Sequence, residues 1–196
     1  LHGYNYSMMM EYLEIITDSV PMGILREGFD GIALGSLVPK KDDKDALIRA
    51  VTDCKEVMKE WNISDWPLHV LGISSRATPI LAALGVDSFD SSTHLHNAIN
   101  GKYQVSLMKS VHIDNIDFDE CDCPVCESEL LVDRMQGNAE YQKDILGPVA
   151  MHNLIIQKRE LAKIRDRIQQ DGTDAFIEYF EETFKEDKTM RQYAHK

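Results

Sequence analysis

GIALGSLV, residues 31–38, is an apolar run closed by a Gly-Ser pair and then by Pro39. A short apolar run ended by turn residues is the pattern of a buried strand. The pattern recurs on either side. PLHVLGIS (67–74) and VDSFDSS (86–92) read as strands, and LHGYNY (1–6) as a shorter one. Helical patterns lie between them. MMMEYLEIITDS (8–19) spaces its apolar residues helically, with Ser7 placed to cap it. DDKDALIRAVTDCKEVMKEW (42–61) carries one stripe: Ala46, Leu47, Ala50, Val51, Cys54, Val57, Met58 and Trp61. Cys54 belongs to that stripe and reads as a small core residue. TPILAALG (78–85) is a short helix ended by Gly85. Strands alternating with helices predict βαβ units and a parallel sheet. Such an α/β half fits an open doubly wound sheet or a (β/α)8 barrel, and periodicity does not separate the two.

The chain has 196 residues, 43% of them hydrophobic, enough for a sizeable core in one or two domains. It contains no run near the ~18 apolar residues of a transmembrane helix, and no signal peptide is visible. It opens on Leu1 inside a strand pattern, which suggests a truncated chain. A net charge of −12 argues against binding nucleic acid through overall charge alone. Four cysteines are few for a secreted chain of this length, so a reducing, cytoplasmic setting is expected.

After residue 100 the pattern changes. KYQVSLMKSVHIDNIDF reads as short extended pieces with turns, followed by ECDCPVCESE (120–129). Cys121, Cys123 and Cys126 crowd three thiols together. Cys-x-Cys spacing is poor for a disulfide and good for a metal, and the two-residue spacer of Cys123–Cys126 is a zinc knuckle. A fourth ligand must come from elsewhere. His152 stands near the start of a helix and is the leading candidate; His112, His94 and His96 are weaker, and three reduced thiols without metal is the alternative to zinc. A Cys3His set is a closed structural zinc site, which holds a fold and does not perform hydrolysis. The remainder reads as helices over 139–147, 149–170 and, after a break at Gly172, 173–187 with Thr173 as its cap.

Asp90 ends the strand VDSFDSS. Polar residues at the C-terminal ends of parallel strands face the active sites of such folds, so Asp90 is a candidate nucleophile, base or metal ligand, although aspartate is also a common turn residue. Asp87, three positions earlier, faces the other side of the strand. LGSLVP, with Gly35 and Ser36, and VLGIS, with Leu71 and Gly72, are strand ends where backbone can approach a planar ligand closely. A tight turn explains them equally well in isolation.

The order GIALGSL, PLHVLGIS, GVDSFDS, NGKY, then CDCPVC with a later histidine, resembles the C-terminal half of a tRNA-guanine transglycosylase. The tail KIRDRIQQDGTDAFIEYF resembles the family's last helices. The resemblance covers nearly the whole chain. It implies the last strands of a (β/α)8 TIM barrel with an inserted zinc-binding subdomain: barrel over 1–104, zinc subdomain over 105–152, and C-terminal helices completing the barrel over 153–196. It implies a pentosyltransferase that exchanges guanine in a nucleic acid for a 7-deazaguanine such as preQ1, preQ0 or queuine, with tRNA as the default substrate and a homodimer or heterodimer as the assembly. Asp90 becomes the nucleophile attacking C1′ of the ribose. Gly35, Ser36, Leu37, Val38, Leu71 and Gly72 become base-binding residues. Cys121, Cys123, Cys126 and His152 become the ligands of a structural Zn2+. A glutamine that the family offers to the base from its LHGYNY-like strand end is replaced by Tyr6, beside Asn5. His96 and Ile99 stand where bacterial-type members carry arginines that grip RNA, while GSLVP and FDS look more like the archaeosine branch. This leaves a DNA-modifying relative and a non-catalytic accessory subunit as alternatives. The family's second carboxylate belongs to the N-terminal half, so this fragment alone is expected to be inactive.

Overall fold

A computed structural model of the chain describes residues 1–40, 43–73 and 77–183. The chain divides into two compact units, Leu1–Ser91 together with the residues from Thr173 on, and Ser92–Gly172.

In the first unit, β1 (Ile32–Leu34), β2 (Leu68–Val70) and β3 (Ser88–Phe89) pair in parallel in the order β1-β2-β3. The register aligns Leu34 with Val70 and Val70 with Phe89. Strand alternation gives the sheet two unlike faces. Leu34, Leu68 and Val70 are buried in the apolar core, whereas His69 is half-buried and Ala33, Leu71, Ser88 and Asp90 are exposed. The expected strand over 1–6 is reduced to one parallel bridge, His2 to Gly35. The local reason is Asn5. Its side chain accepts the N–H of Met8 at 3.0 Å and starts α1 (Tyr6–Ser19) there, so Ser7 lies inside the helix and is not its cap.

α1 buries Met9 and Leu13 against the sheet core. α2 (Met22–Gly28), which the apolar pattern did not signal, follows directly after Pro21. α3 (Lys44–Glu60) is capped by Asp43, whose carboxylate accepts the N–H of Ala46 at 3.0 Å. Leu47, Ala50, Val51, Cys54, Val57 and Met58 form its buried stripe. Each larger aliphatic side chain so buried contributes roughly 1.5–3 kcal/mol. α4 (Thr78–Ala83) ends in a capping turn in which the N–H of Val86 reaches the carbonyl of Leu81. Of the expected elements, Asp42, Ser74, residues 184–187 and the side chain of Thr173 lie outside the described residues.

In the second unit, α5 (Thr93–Ile99) leads into an antiparallel hairpin of β4 (Lys102–Gln104) and β5 (Ser110–His112), with Tyr103 opposite Val111. Single 3-10 turns at Ile113–Asn115 and Phe118–Glu120 carry the chain to the cysteines. α6 (Glu129–Met135) and α7 (Gln142–Thr183) follow, the residues of α7 from Thr173 on belonging to the first unit. α7 runs through Pro148, where the sequence predicted a gap between helices. The proline removes one backbone donor without stopping the helix. Gly172, at φ 78°, interrupts α7 as the sequence predicted. Ala98, Tyr103, Phe118, Cys123, Val125, Met135, Val149 and Ala150 form this unit's apolar core.

Candidate functional site

The three cysteines and His152 come together. Their ligand atoms lie within 4.8 Å of one another. Cys121 and Cys126 flank buried Cys123, and the backbone turn between Cys123 and Cys126 is closed by the Cys126 N–H on the Cys123 carbonyl at 2.9 Å. α7 delivers His152 from the other side, fully buried.

The ring has a defined orientation. Its Nε2 lies 2.9 Å from the carbonyl oxygen of Gln104, an acceptor, so Nε2 carries the hydrogen. Nδ1 then presents a lone pair to the sulfurs of Cys121, Cys123 and Cys126, at 3.8, 3.3 and 3.5 Å. Tetrahedral zinc with Zn–S of about 2.3 Å and Zn–N of about 2.0–2.1 Å requires S···N edges near ~3.5 Å. The donor set therefore fits zinc in type, number and spacing. Burial pushes the Cys126 thiol well above its ordinary value, with added repulsion from Cys123 and Cys121. Three thiolates at this separation need a cation among them. Burial likewise holds His152 below its ordinary value, which keeps its ring neutral and able to ligate.

A polar and aromatic shell supports these ligands. The Tyr103 ring stacks on His152 with centroids 3.7 Å apart, and its hydroxyl lies 3.0 Å from Cys126 Sγ. Buried Asn153 accepts the N–H of Gln104 at 2.8 Å and donates to the carbonyls of Lys102 and His94. Gln157 donates to the Gln104 side chain at 2.8 Å. Arg159 pairs with Asp122 inside the knuckle. The other candidate ligands are engaged differently: His112 pairs with Asp114 at 3.1 Å, and His94 and His96 lie on α5. Among the described residues, Cys121, Cys123, Cys126 and His152 form the one cluster suited to a metal.

Asp90 follows β3 directly, at the C-terminal edge of the parallel sheet. Its Oδ1 accepts the N–H of Gly72 at 2.9 Å and lies 3.3 Å from His69 Nε2. The Gly72 N–H above all holds its carboxyl below the usual carboxylate range; burial opposes it, and the His69 ring adds to the lowering. Asp90 is thus an ionised, 57% exposed carboxylate fixed at a strand end. Asp87 points elsewhere, accepting the N–H of Leu68 at 2.8 Å.

Gly72 makes its bond from φ +70°, a conformation that L side chains avoid, and a Cβ there would meet Val38 Cγ2 at 2.7 Å. Gly35 is the close approach on β1: a Cβ would meet the His2 ring at 3.2 Å. Ser36 follows at φ 65°, with its hydroxyl 2.7 Å from His2 Nδ1. Leu37 is buried, while Val38 and Leu71 are exposed. Tyr6 does not occupy the strand end. It opens α1, with its N–H on Asp53 Oδ2, and His2 stands beside Gly35 and Ser36 instead.

Sequence reasoning passed over His69, His2, Tyr103, Gln104, Asn153 and Gln157. A signal existed for two groups of them. His69 alternates with Leu71 along a strand and so shares its face. Asn153 and Gln157, four residues apart, share one face of a helix, where polar residues among apolar neighbours signal buried hydrogen bonds.

A parallel α/β unit with a carboxylate at its strand ends and a separate Cys3His knuckle defines a class of zinc-containing α/β proteins. The sequence matches the family described as "TGT: Queuine tRNA-ribosyltransferase" over residues 9–186, and the chain belongs to that family. It is 31% identical over 174 residues to a queuine tRNA-ribosyltransferase of Psychrobacter sp. strain PRwf-1, covering 81% of this chain and 43% of that protein. It is 29% identical over 152 residues to a tRNA-guanine(15) transglycosylase of Haloferax volcanii, covering 76% of this chain and 28% of that protein. A tRNA-guanine(15) transglycosylase of Korarchaeum cryptofilum matches at 34% over 104 residues, 53% of this chain and 17% of that protein. The chain spans less than half the length of these relatives. Among the described residues, no helix is long and apolar enough to cross a membrane.

Proposed function

We propose that the protein carrying this chain exchanges a guanine base in nucleic acid, tRNA by default, for a 7-deazaguanine through a covalent Asp90–ribose intermediate. The observation that carries this reading is the ionised carboxylate of Asp90, fixed at the C-terminal edge of a parallel sheet by the Gly72 N–H. A carboxylate held in that way is a competent oxygen nucleophile. Its oxygen attacks C1′ while the C1′–N9 bond to guanine breaks, and the departing base takes up a proton. N9 of the incoming base then attacks C1′, loses its proton and displaces Asp90. Two inversions give net retention, as in retaining glycosidases.

Gly35, Ser36, Leu37, Val38 and Leu71 are proposed to form the base pocket, with Gly72 between pocket and nucleophile. The strained backbone at Ser36 and the glycine contacts beside it support a built ligand edge. We further assign residues 1–104 to the last strands of a (β/α)8 barrel, 105–152 to the zinc subdomain and 153–196 to helices that complete the barrel. The parallel order of β1-β2-β3 supports this. Zinc, held by Cys121, Cys123, Cys126 and His152, supplies structural cross-linking and no step of the exchange. Partners are the nucleic acid, a free base such as preQ1, preQ0 or queuine, and a second subunit, in a cytoplasmic setting.

The test is incorporation of labelled guanine or 7-deazaguanine into unmodified tRNA by the protein carrying this chain. Incorporation that Asp90→Ala abolishes supports the reading. Labelling of DNA with tRNA untouched would replace tRNA by DNA as substrate, the alternative that the acidic chain and the residues His96 and Ile99 favour. Exchange that survives Asp90→Ala would remove Asp90 as nucleophile and leave an accessory role.

A further inference from the structure

His69 has been given no role in the exchange itself, yet it bridges two residues on the neighbouring strand. Its Nδ1 lies 2.8 Å from the Ser88 hydroxyl and its Nε2 lies 3.3 Å from Asp90 Oδ1. The arrangement follows from the sheet. His69 pairs in register with Ser88, and Asp90 is two residues further along, on the same face of the sheet. Ser88, His69 and Asp90 thus form a hydrogen-bonded chain across two parallel strands.

The chemistry fixes the direction of that chain. An ionised carboxylate only accepts, so Nε2 carries the hydrogen toward Asp90. In the neutral ring Nδ1 is then the acceptor, and the Ser88 hydroxyl donates to it. The Gly72 N–H meets the same Oδ1 at 2.9 Å. A carboxylate at the last position before a loop has two free side-chain torsions, and two donors on one oxygen hold both. The Gly72 donor is backbone and cannot be varied by side-chain choice. His69 is the donor that sequence selects; Asp90 sets its tautomer, and the Ser88 hydroxyl holds the ring in orientation.

We propose that His69, oriented by Ser88, is a positioning residue that holds the Asp90 carboxylate in its attacking pose. This rests on the reading of Asp90 as nucleophile. A nucleophile displaced by about 1 Å loses on the order of 100-fold in rate. His69 touches the carboxylate rather than the base, so the loss belongs in kcat.

The experiment compares base-exchange kinetics of His69→Ala, His69→Gln, Ser88→Ala and Asp90→Ala in the protein carrying this chain, each checked for folding by circular dichroism. His69→Ala is expected to lower kcat by about 10–100-fold with KM for the free base little changed. His69→Gln, whose amide N–H can reach the carboxylate, is expected to recover much of the loss, and Ser88→Ala to give an intermediate value. A folded His69→Ala with undiminished kcat, a loss confined to KM, or a Gln variant no better than Ala would overturn the proposal. Asp90→Ala separates the two readings. If it retains exchange, the nucleophile assignment fails. If it is dead while His69→Ala runs at full rate, only the role of His69 fails. Long-range 1H–15N correlation of the His69 ring in the unaltered protein gives a readout that needs no activity: the Nε2–H tautomer is expected, and the Nδ1–H tautomer would overturn the proposal.

Discussion

The Nε2–H of His152 is bonded to the main-chain carbonyl of Gln104 at 2.9 Å, and this single bond decides which nitrogen faces the three thiols. The ligand orientation is set by β4, a strand about fifty residues away in sequence.

The protein should contain about one zinc per chain, measured by metal analysis, as a closed Cys3His site requires. Tyr103→Phe removes the hydroxyl near Cys126 and keeps the ring stacked on His152. Loss of such an outer contact typically weakens metal binding by about 10-fold or more, read by competition with a chromogenic chelator.

Asn153→Ala should destabilise the zinc-bearing unit by about 1–3 kcal/mol, because it leaves the buried N–H of Gln104 without its acceptor. Asn153→Asp should be worse, since a carboxylate would face the carbonyls of Lys102 and His94 that the amide now serves. Chemical denaturation followed by near-ultraviolet circular dichroism measures both.

Cys54 should not react with thiol reagents at neutral pH. Burial in the α3 stripe pushes its thiol up to about 11. In the zinc-loaded protein no cysteine should react quickly with a disulfide reagent. A chelator should expose Cys121, Cys123 and Cys126 and leave Cys54 protected.

Asp90→Asn should change stability little while removing exchange. The Asp90 carboxyl is held below its ordinary value by the Gly72 N–H above all; burial opposes it, and the His69 ring adds to the lowering. A depressed carboxylate stabilises the fold fully above its unfolded value of ~3.9, and that contribution disappears as pH falls through the folded value. The side chain is 57% exposed, so solvent screening limits the effect to under about 1 kcal/mol. At pH 7 the variant should melt within roughly 4 °C of the parent. The difference should close in strong acid.

Gly72→Ala should cost about 1–2 kcal/mol, from the left-handed φ alone, and more from the 2.7 Å approach to Val38. It should also slow exchange, because the N–H that holds Asp90 moves with the backbone. Thermal melts and exchange rates together check this.

The legible parts of this chain were those written in short range. The α3 stripe is one helix read at one period, and every position from Leu47 to Met58 that the spacing assigned to it is buried. The cysteine knuckle is six residues of local chemistry. What escaped was non-local or depended on a competing cap. LHGYNY looks extended, but the Asn5 side chain takes the Met8 N–H and begins a helix where the strand was expected to continue. Proline at 148 suggested a boundary, yet the helix accepts the loss of one donor. Gln104, Asn153 and Gln157 are invisible as a group until strand and helix meet, since each alone is an ordinary polar residue. Tyr6 was read as the residue at the strand end only because the strand was drawn too long.

One consequence of α7 concerns what lengths of chain the zinc-bearing unit can absorb. His152, Asn153 and Gln157 each address β4 from fixed steps along one helix. Gly137 and Asn138 close α6, with the Asn138 N–H on the Asp133 carbonyl at 3.2 Å, and beyond that cap Ala139 and Glu140 connect to α7 without such obligations. Adding or removing a residue there changes only a loop. Adding one between His152 and Gln157 would turn the second half of the comb by about 100° and take its last tooth off the strand. Length variation should therefore be free on one side of His152 and forbidden on the other.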